Sequence, residues 1–317
     1  MPSEAAQAPP GTGPRVEDGV DNGFSSAGGG QVLGVGIATV DIVNLVDDYP
    51  PEDAEVRAFD QRIVRGGNAA NTLAVLRQLD RPCVWLGTLA ADAGAALITN
   101  DLERRGISHE FAIAIPGGRT PTSYIALSRA TGSRTIVHYR KQRELNARDF
   151  DAVPLTDLAW VHFEGRNPLE TAAMIARVRR ERPDLPVSVE IEKPRDDIER
   201  LFRGANLLIF SRAFAAAMSP RGSAADPTTF LRQRSADSDA DLCLLPWGSA
   251  GAYGLARGGE PVFAAAQPPE VLVDTLGAGD VFNAAVIDGL MRGLELPSLL
   301  AHANHIAGEK CGRHGIA

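Results

Sequence analysis

Lysine is scarce in this chain. Its three lysines, Lys141, Lys193 and Lys310, stand among 32 basic and 40 acidic side chains. None of them follows a glycine, so a Walker A nucleotide loop is absent, and so is the loop set of the protein kinases. The formal net charge of −8 argues against a surface for duplex nucleic acid, because phosphate contacts need clustered Lys and Arg. We therefore expect no nucleic-acid partner.

Long apolar runs and cysteines are also few. No stretch approaches the ~20 apolar residues of a membrane span, and the N-terminus has neither the basic start nor the apolar centre of a signal peptide. The cysteines Cys83, Cys243 and Cys311 are odd in number and widely spaced, which is typical of reduced thiols rather than of a disulfide framework. The sequence therefore predicts a cytoplasmic protein without a membrane partner.

The first thirty residues are rich in Gly, Pro, Ala and Ser and contain almost no large apolar side chains. Such a segment buries too little apolar surface to offset its own ordering entropy. We predict a disordered tail over residues 1–30, followed by one globular unit over residues 31–317.

Within that unit, apolar runs alternate with amphipathic stretches. The runs CVWLGTLA, LAWVHFEG, PVSVEIE and NLLIF precede helical or polar patterns, and residues 68–79 and 94–105 read as helices. This alternation predicts an α/β fold with a mostly parallel sheet. Residues from about 38–66 and 120–140 instead have the pattern of antiparallel strands with turns. We expect them to form a small separate sheet, a lid over the open edge of the main body.

The run GVGIATVDIV resembles the start of a dinucleotide-binding fingerprint. Its third glycine is missing, however, and β-branched residues continue where a helix should begin, which excludes a Rossmann site. Asp41, at the end of this run, lies where ligands of α/β sheets gather. The alternative is an ordinary solvated turn acid.

The stretch RGGNAANTLAVL predicts a helix entered through two glycines. Gly67 permits close backbone approach, and Asn68 can cap the helix. Asn68 and Asn71 share the stripe that continues as core, where an amide without partners costs ~1–3 kcal/mol. Either these amides bind neighbouring backbone, or they face a pocket and hold a polyhydroxy ligand.

The stretch VDTLGAGDVFNAA places an acid at the start of an apolar helix. Gly277, Ala278 and Gly279 have little side-chain bulk, so their N–H groups and the helix dipole can converge on an anion. Asp280 is then either a plain N-terminal helix acid or a base that takes a proton from a hydroxyl attacking a phosphoryl group.

Two further clusters are ambiguous. HFEGRNP places Glu164, Arg166 and Asn167 at a strand end, which suits phosphate or Mg²⁺ chemistry as well as a simple polar loop. His302 and His305 lie one helical turn apart near the C-terminus, but no second pair has zinc-like spacing, so we expect helix packing there.

The motifs RGGNAANT, HFEGRN, VSVEIEKPR, DTLGAGDVFNA and AGEKCG together resemble the ribokinase-like, or PfkB, carbohydrate kinases, and within them the branch that phosphorylates ketohexoses. The resemblance extends from Gln31 to Gly312. It implies a three-layer α/β/α ribokinase-like fold over residues 31–317 and ATP-dependent phosphorylation of D-fructose at its 1-hydroxyl. Another sugar or nucleoside kinase of this fold, or a sugar- or nucleotide-binding regulator without catalysis, remains an alternative.

The resemblance also implies site residues. Asp280 corresponds to the general base, Gly277, Ala278 and Gly279 to the anion hole, and Arg134 to an arginine near the phosphate path. The implied sugar ligands are Asp41, Gly67, Asn68 and Asn71, with Asp53 lent by the lid of one subunit to the sugar site of the other. The implied adenine pocket consists of Gly248, Gly251, Pro268, Pro269, Phe282 and Asn304.

The resemblance further implies ATP with Mg²⁺, K⁺ as a helper ion, and a homodimer clasped through the lid sheets. Many family members hold Mg²⁺ through water with an Asn-x-x-Glu motif. The matching stretch here is SRAF, residues 211–214, which contains no acid, so the metal ligands are left unassigned.

Overall fold

The computed structural model describes Phe24, residues 29–219 and residues 226–316. The described residues contain fifteen strands: β1 (Gln31–Val35), β2 (Thr39–Val46), β3 (Asp60–Gly66), β4 (Cys83–Leu86), β5 (Thr88–Leu89), β6 (Ile107–Ser108), β7 (Ile113–Ala114), β8 (Thr122–Ser128), β9 (Arg134–Tyr139), β10 (Leu158–Glu164), β11 (Val187–Ile191), β12 (Leu207–Phe210), β13 (Leu242–Pro246), β14 (Gly251–Ala256) and β15 (Val262–Ala265). They also contain eight α-helices: α1 (Asn68–Gln78), α2 (Ala93–Arg104), α3 (Ala147–Phe150), α4 (Pro168–Glu181), α5 (Arg212–Met218), α6 (Pro227–Ala236), α7 (Ala278–Met291) and α8 (Leu296–Cys311).

Nine strands form the main sheet, in the order β15-β14-β13-β12-β11-β10-β1-β4-β6. From β13 to β6 every neighbouring pair is parallel, and the β13/β14 and β14/β15 pairs at one edge are antiparallel. The chain leaves β1 in one direction toward β4 and β6, and later continues from β10 in the other direction. The strand order therefore reverses between β1 and β10, which is where open α/β sheets bind ligands beyond their carboxyl ends.

Two hydrophobic cores cover the two faces of this sheet. One contains buried residues of α1, α2, α7 and α8, and the other contains those of α3, α4, α5 and α6. The helix-strand-helix layering and the mostly parallel sheet agree with the sequence-based expectation. No α-helix in the described part of the chain has both the length and the apolar content to cross a bilayer.

A separate four-stranded sheet, the lid, has the order β3-β2-β8-β9. Its β2/β3 and β8/β9 pairs are antiparallel, but β2 and β8 are parallel, which the strand pattern did not predict. The reason is that β2 and β8 come from distant parts of the chain and meet side by side. Val43, Ile125 and Leu127 of the lid form a third small core, against which Leu276 packs.

The run QVLGVGIATVDIV divides between the two sheets. Its first part is β1 of the main sheet, and after a break at residues 36–38 its second part is β2 of the lid. β-Branched residues continue across the break, so strand propensity gives no sign of it. The division places Asp41 in the lid, close above the carboxyl end of β1.

Of the predicted tail, the structure describes Phe24 and residues 29 and 30. Phe24 is 6% exposed and stacks on Trp160, with ring centroids 5.6 Å apart, so this residue belongs to the packed body. The other residues of the predicted tail lie outside the described part of the chain.

Candidate active site

The turn into α7 begins the site. Gly277 is the N-cap residue of this 14-residue helix, and its φ of 79° lies in the left-handed region that favours glycine. Ala278 and Gly279 follow as the first helical residues. The N–H groups of this turn lack partners within the helix, and the helix dipole adds positive potential, so the geometry suits an anion.

Asp274 anchors the loop that leads into this turn. It is 2% exposed and accepts hydrogen bonds from the N–H groups of Leu276 (2.8 Å) and Gly315 (3.1 Å). The fully buried Lys310 donates to the backbone oxygen of Asp274, and Arg62 of the lid lies 3.4 Å from its carboxylate. The loop is thereby tied to both the C-terminal segment and the lid.

Asp280 lies in the first turn of α7 and is 6% exposed. Burial raises its pKa from the ordinary 3.8 to about 7. The negative charges of Glu164 and Glu192 contribute to this rise in pKa, whereas a hydrogen bond from Asn71 and the charge of Arg65 act in the opposite direction. A carboxyl group with a pKa near neutrality can accept and release a proton under physiological conditions.

Asn71 is the direct partner of Asp280. Its amide Nδ2 donates to Asp280 Oδ2 at 2.7 Å, and its Oδ1 accepts from Arg65 Nη1 at 2.8 Å. Arg65 in turn donates from Nε to Asp101 Oδ2 at 2.7 Å. The sequence analysis did not single out Asp101.

Asn68, the first residue of α1, faces two acids. Its Nδ2 donates to Glu190 Oε2 at 3.0 Å and lies 3.4 Å from Glu192 Oε2. Glu190 is 8% exposed, and burial followed by the negative charge of Asp280 raises its pKa well above the ordinary value. Sequence reasoning used VSVEIEKPR for the resemblance without assigning Glu190 a place in the site. A glutamate inside a fully buried strand was the signal.

Asp41 lies against the double glycine before α1. A Cβ atom on Gly66 would lie 2.1 Å from Asp41 Oδ2, so the missing side chain leaves room for this carboxylate. Thr39 Oγ1 donates to Asp41 Oδ1 at 2.7 Å. Gly67 has a φ of 104°, and a Cβ there would lie 2.1 Å from the backbone oxygen of Ile37. Gly66 therefore permits close approach between two lid strands, and Gly67 permits close approach to the segment that follows β1.

Glu164 of HFEGRNP ends β10 and Arg166 follows it, at the point where the strand order reverses. Glu164 is 4% exposed, accepts from the N–H of Ile37 at 2.9 Å and pairs with Arg166 Nε at 2.5 Å. Both side chains line a cavity together with Arg140 and Glu144, which themselves form an ion pair. Glu164 and Arg166 are thus held by contacts at this cavity, and the charge of Glu164 acts on Asp280.

The residues assigned to an adenine pocket lie around β14, β15 and α8. Gly251 pairs with Ala265, and Asn304 donates to the backbone oxygens of Ala264 (2.8 Å) and Ala265 (3.1 Å). Gly248 belongs to the short helical turn that precedes β14, whereas Phe282 of α7 is 2% exposed and packs in the core. Pro268 and Pro269 follow β15, and Pro269 approaches Gly312.

The two lid residues are exposed. Arg134 begins β9 and pairs with Leu127 of β8. The small lid core that contains Leu127 also contacts Leu276, next to the glycine turn, so Arg134 lies on the lid strand above that turn. Asp53 lies between β2 and β3 with a φ of 58°.

The stretch SRAF begins α5. Ser211 Oγ accepts from the N–H of Phe214 at 2.9 Å and donates to the backbone oxygen of Glu192 at 2.5 Å, so this serine is a helix cap that also holds Glu192. Among the described residues, no group of three or more His, Cys, Asp or Glu side chains is arranged to hold a metal ion.

Comparison with known proteins identifies the family. A family model described as pfkB family carbohydrate kinase matches residues 30–317. The chain belongs to this family. It is an ATP-dependent carbohydrate kinase with the ribokinase-like fold.

Relatives of this PfkB kinase cover nearly its whole length. Ketohexokinase of Mus musculus is 36% identical over 293 residues, which are 90% of this chain and 97% of the relative. ATP-dependent ribose-1-phosphate kinase of Halopiger xanaduensis is 26% identical, over 90% and 93% of the two chains. Among solved structures, ribokinase of Giardia lamblia superposes with a TM-score of 0.80 at 17% identity over 91% of this chain and 96% of that one. Arabidopsis thaliana ribokinase complexed with ribose and ATP gives 0.73 at 19% identity, over 90% and 94%.

Proposed function

We propose that this kinase transfers the γ-phosphoryl group of ATP to the 1-hydroxyl of a ketohexose, with D-fructose as the acceptor. The observation that carries the proposal is the 36% identity to mouse ketohexokinase over nearly the full length of both chains. The buried Asp280 beside the glycine turn of α7 supports the same chemistry. Phosphoryl transfer needs a group that accepts the hydroxyl proton and donors that stabilise the phosphoryl charge, and the Asp280 carboxyl and the N–H groups of the turn lie side by side.

In the proposed mechanism, Asp280 takes the proton of the sugar hydroxyl as its oxygen attacks the γ-phosphorus. The new oxygen–phosphorus bond forms while the bond from phosphorus to the β-phosphate oxygen breaks, and ADP leaves with the electron pair. The N–H groups of Gly277, Ala278 and Gly279 stabilise the charge on the transferred group. Arg134 would stabilise the same charge from the lid.

Sugar and ATP would approach Asp280 from opposite sides. Asp41, Gly67, Asn68 and Asn71 surround the lid side, which suits a polyhydroxy ligand because their carboxylates, amides and backbone supply both donors and acceptors. Gly248, Gly251, Pro268, Pro269, Phe282 and Asn304 would form the adenine side. Since Phe282 is buried and the Asn304 amide binds backbone, we expect these two residues to shape that pocket rather than to touch the base.

Magnesium fits the acidic character of the site. Mg²⁺ in kinases keeps several waters and binds one or two carboxylates together with substrate phosphates, so no dedicated three-ligand cluster is required. Glu190 and Glu192, which share the Asn68 amide, are the residues that would hold it through water. When bound, the ion neutralises charge on the phosphates. We also propose that K⁺ supports activity, an inference from the resemblance to ketohexose kinases.

We further propose a cytoplasmic homodimer in which Asp53 of each subunit completes the sugar site of the other. The lid supports this proposal because apolar side chains are exposed on it: Ile63 (53%), Tyr124 (51%), Val137 (62%) and Tyr139 (40%). Contiguous exposed apolar surface of this kind typically marks an interface.

The test is ADP release from ATP with Mg²⁺ and K⁺ across fructose, tagatose, sorbose, ribose, adenosine and fructose 6-phosphate. We expect turnover with fructose and a loss of ~10²–10⁴-fold in kcat for Asp280→Asn, because a general base contributes that much. Asp288→Asn is the matched control, since Asp288 lies further along α7 and pairs with Arg81. NMR of the product would identify the phosphorylated hydroxyl.

Other outcomes select among the alternatives. Turnover with another acceptor only would keep the mechanism and overturn the substrate. Sugar binding by thermal shift without any turnover from folded protein would favour a regulator and overturn the kinase proposal for this chain.

A further inference from the structure

Four side chains form a continuous hydrogen-bonded chain that ends at Asp280. Asp101 of α2 accepts from Arg65 Nε at 2.7 Å, Arg65 Nη1 donates to Asn71 at 2.8 Å, and Asn71 donates to Asp280 at 2.7 Å. The Arg65 side chain is 2% exposed, and Asn71 and Asp280 are buried. The chain links the lid strand β3, the helices α1 and α2, and the catalytic end of α7.

The guanidinium determines which way the Asn71 amide faces. Arginine has donors only, so the amide oxygen of Asn71 must face Arg65. The NH₂ group then faces Asp280, where it can donate to the carboxylate. With the amide turned over, its NH₂ group would face a guanidinium and its oxygen a carboxylate, and both contacts would be repulsive. Asp101 fixes Arg65 from the other side.

Arg65 also supplies a positive charge in an acidic environment. The charged or hydrogen-bonding groups that face Asp280 come from β3, α1, β10, β11 and the residue after β11: Arg65, Asn71, Glu164, Glu190 and Glu192. Three of these five are acids, and Arg65 is the cation among them. Arg65 itself faces Asp101, Arg105 and Asp280.

We propose that Arg65 is a positioning residue for proton transfer: it orients the Asn71 amide, which holds the Asp280 carboxylate in place for the acceptor hydroxyl. The inference rests on the proposed function, in which Asp280 is the base. It assigns Asn71 a second role beside that of a sugar ligand. It also explains why a guanidinium is buried at this point: its fixed fork reaches two partners at once, which an ammonium group on a flexible stem does not reproduce.

The experiment compares Arg65→Gln, Arg65→Lys and Arg105→Gln with the unmodified full-length protein. Arg105 is the matched control because it also pairs with Asp101, at 3.0 Å, but has no contact with Asn71. The measurements are kcat and KM for the acceptor sugar from about pH 5 to 9. A ¹³C NMR titration of the aspartate carboxyls, with Asp280→Asn for assignment, adds a readout that does not depend on activity.

We expect Arg65→Gln to lower kcat by ~10–10²-fold, the range expected for a misplaced catalytic group. The acid limb of its pH profile and the Asp280 titration should both move to higher pH, because the positive charge that stabilises ionised Asp280 is lost. Arg65→Lys should restore the position of the acid limb but not kcat, since it replaces the charge without the fork. Arg105→Gln should match the unmodified protein in kcat, in pH profile and in the Asp280 titration.

The proposal is overturned if folded Arg65→Gln keeps the original kcat, pH profile and Asp280 titration. If Arg65→Gln does not fold, Arg65→Lys decides: an unchanged kcat would contradict positioning by the fork. Absence of sugar-dependent turnover in the unmodified protein would refute the proposed function instead. In that case an Asp280 titration that is unmoved in the Arg65 variants would refute the link to Arg65 as well.

Discussion

At Asp280, protein stability favours the protonated carboxyl group, whereas the proposed function requires the ionised one. A buried carboxylate surrounded by Glu164, Glu190 and Glu192 is unfavourable when ionised, and burial is the main reason that its pKa rises to about 7. The proposed mechanism nevertheless needs the ionised form of Asp280 as its base. Asn71 and Arg65 act to lower the pKa of Asp280, which in that mechanism favours the ionised base near neutral pH.

From the raised pKa of Asp280 we expect kcat/KM for the acceptor sugar to rise with pH and to level off above about 7, because Asp280 accepts a proton only when ionised. The measurement is a pH profile with saturating ATP and Mg²⁺. An acid limb that stays near the ordinary aspartate pKa of 3.8 would contradict this assignment.

The same raised pKa has a consequence for stability. Between 3.8 and about 7 the folded protein binds the Asp280 proton and the unfolded chain does not, so this group makes the protein less stable as pH rises through that window. Asp280→Asn removes the effect. We expect its melting temperature relative to the unmodified protein to increase between pH 5 and pH 7 by more than ~2 °C. A difference that does not change with pH would argue that Asp280 is not buried as an acid.

At the scale of elements, the turn from β3 into α1 brings the lid to the catalytic centre. Gly66 and Gly67 both lie in close contact, but with different neighbours. A Cβ on Gly66 would meet the movable side chain of Asp41, whereas one on Gly67 would meet the backbone of Ile37. The side chain of Asp41 can rotate away and the backbone at Ile37 cannot, so we expect a substitution at Gly66 to affect sugar binding and one at Gly67 to affect folding.

We therefore expect Gly66→Ala to fold normally and to raise KM for the sugar by ~10-fold or more, because it displaces the Asp41 carboxylate from its hydrogen-bonded position. Gly67→Ala should instead lower the free energy of unfolding by ~1–3 kcal/mol or more, because alanine is strained at a φ of 104°. Steady-state kinetics and urea denaturation distinguish the two. Gly117→Ala is a control for positive φ alone, since a Cβ there meets no atom within 4 Å. Equal effects of Gly66→Ala and Gly67→Ala on unfolding would refute this distinction.

In the complete fold, the lid is the part that exposes a row of apolar side chains. Ile63, Tyr124 and Val137 occupy a row across β3, β8 and β9 with Ile42 of β2 between them, and each of the three is more than half exposed. Such a row normally packs against another surface. A second copy of the lid is the occupant that the homodimer proposal assigns to it.

We expect the unmodified protein to be a dimer by light scattering, and Val137→Glu to be a folded monomer with strongly reduced turnover. Leu169→Glu, an equally large change at a 53% exposed position on α4, should stay dimeric and active. If the lid lends Asp53 across the interface, a refolded mixture of Asp53→Asn and Asp280→Asn should regain part of the activity that both variants lack alone. A monomeric unmodified protein with full activity would refute the shared site.

Local chemistry made several features predictable from sequence. The helix that begins at Asn68, the glycine turn before Asp280 and the lack of a Walker A loop depend on neighbouring residues, and a single chain displays these directly. The parallel sheet followed from the alternation of apolar strands and amphipathic helices. The parallel pairing of β2 with β8 did not, because periodicity within each segment does not specify which strands become neighbours.

Residue patterns along the chain were thus enough to recognise the fold class, the family motifs and the two ends of the candidate site. Tertiary structure alone decided the contacts between them: Asn71 and Asp280 are 209 positions apart, and Asn68 and Glu190 are 122 apart. It also decided that Arg65 is buried against Asp101 and Asn71, and that Glu164, Glu190 and Glu192 face Asp280. The physical reason is that charge, burial and hydrogen-bond geometry at a site are properties of groups brought together through space, which local residue patterns do not encode.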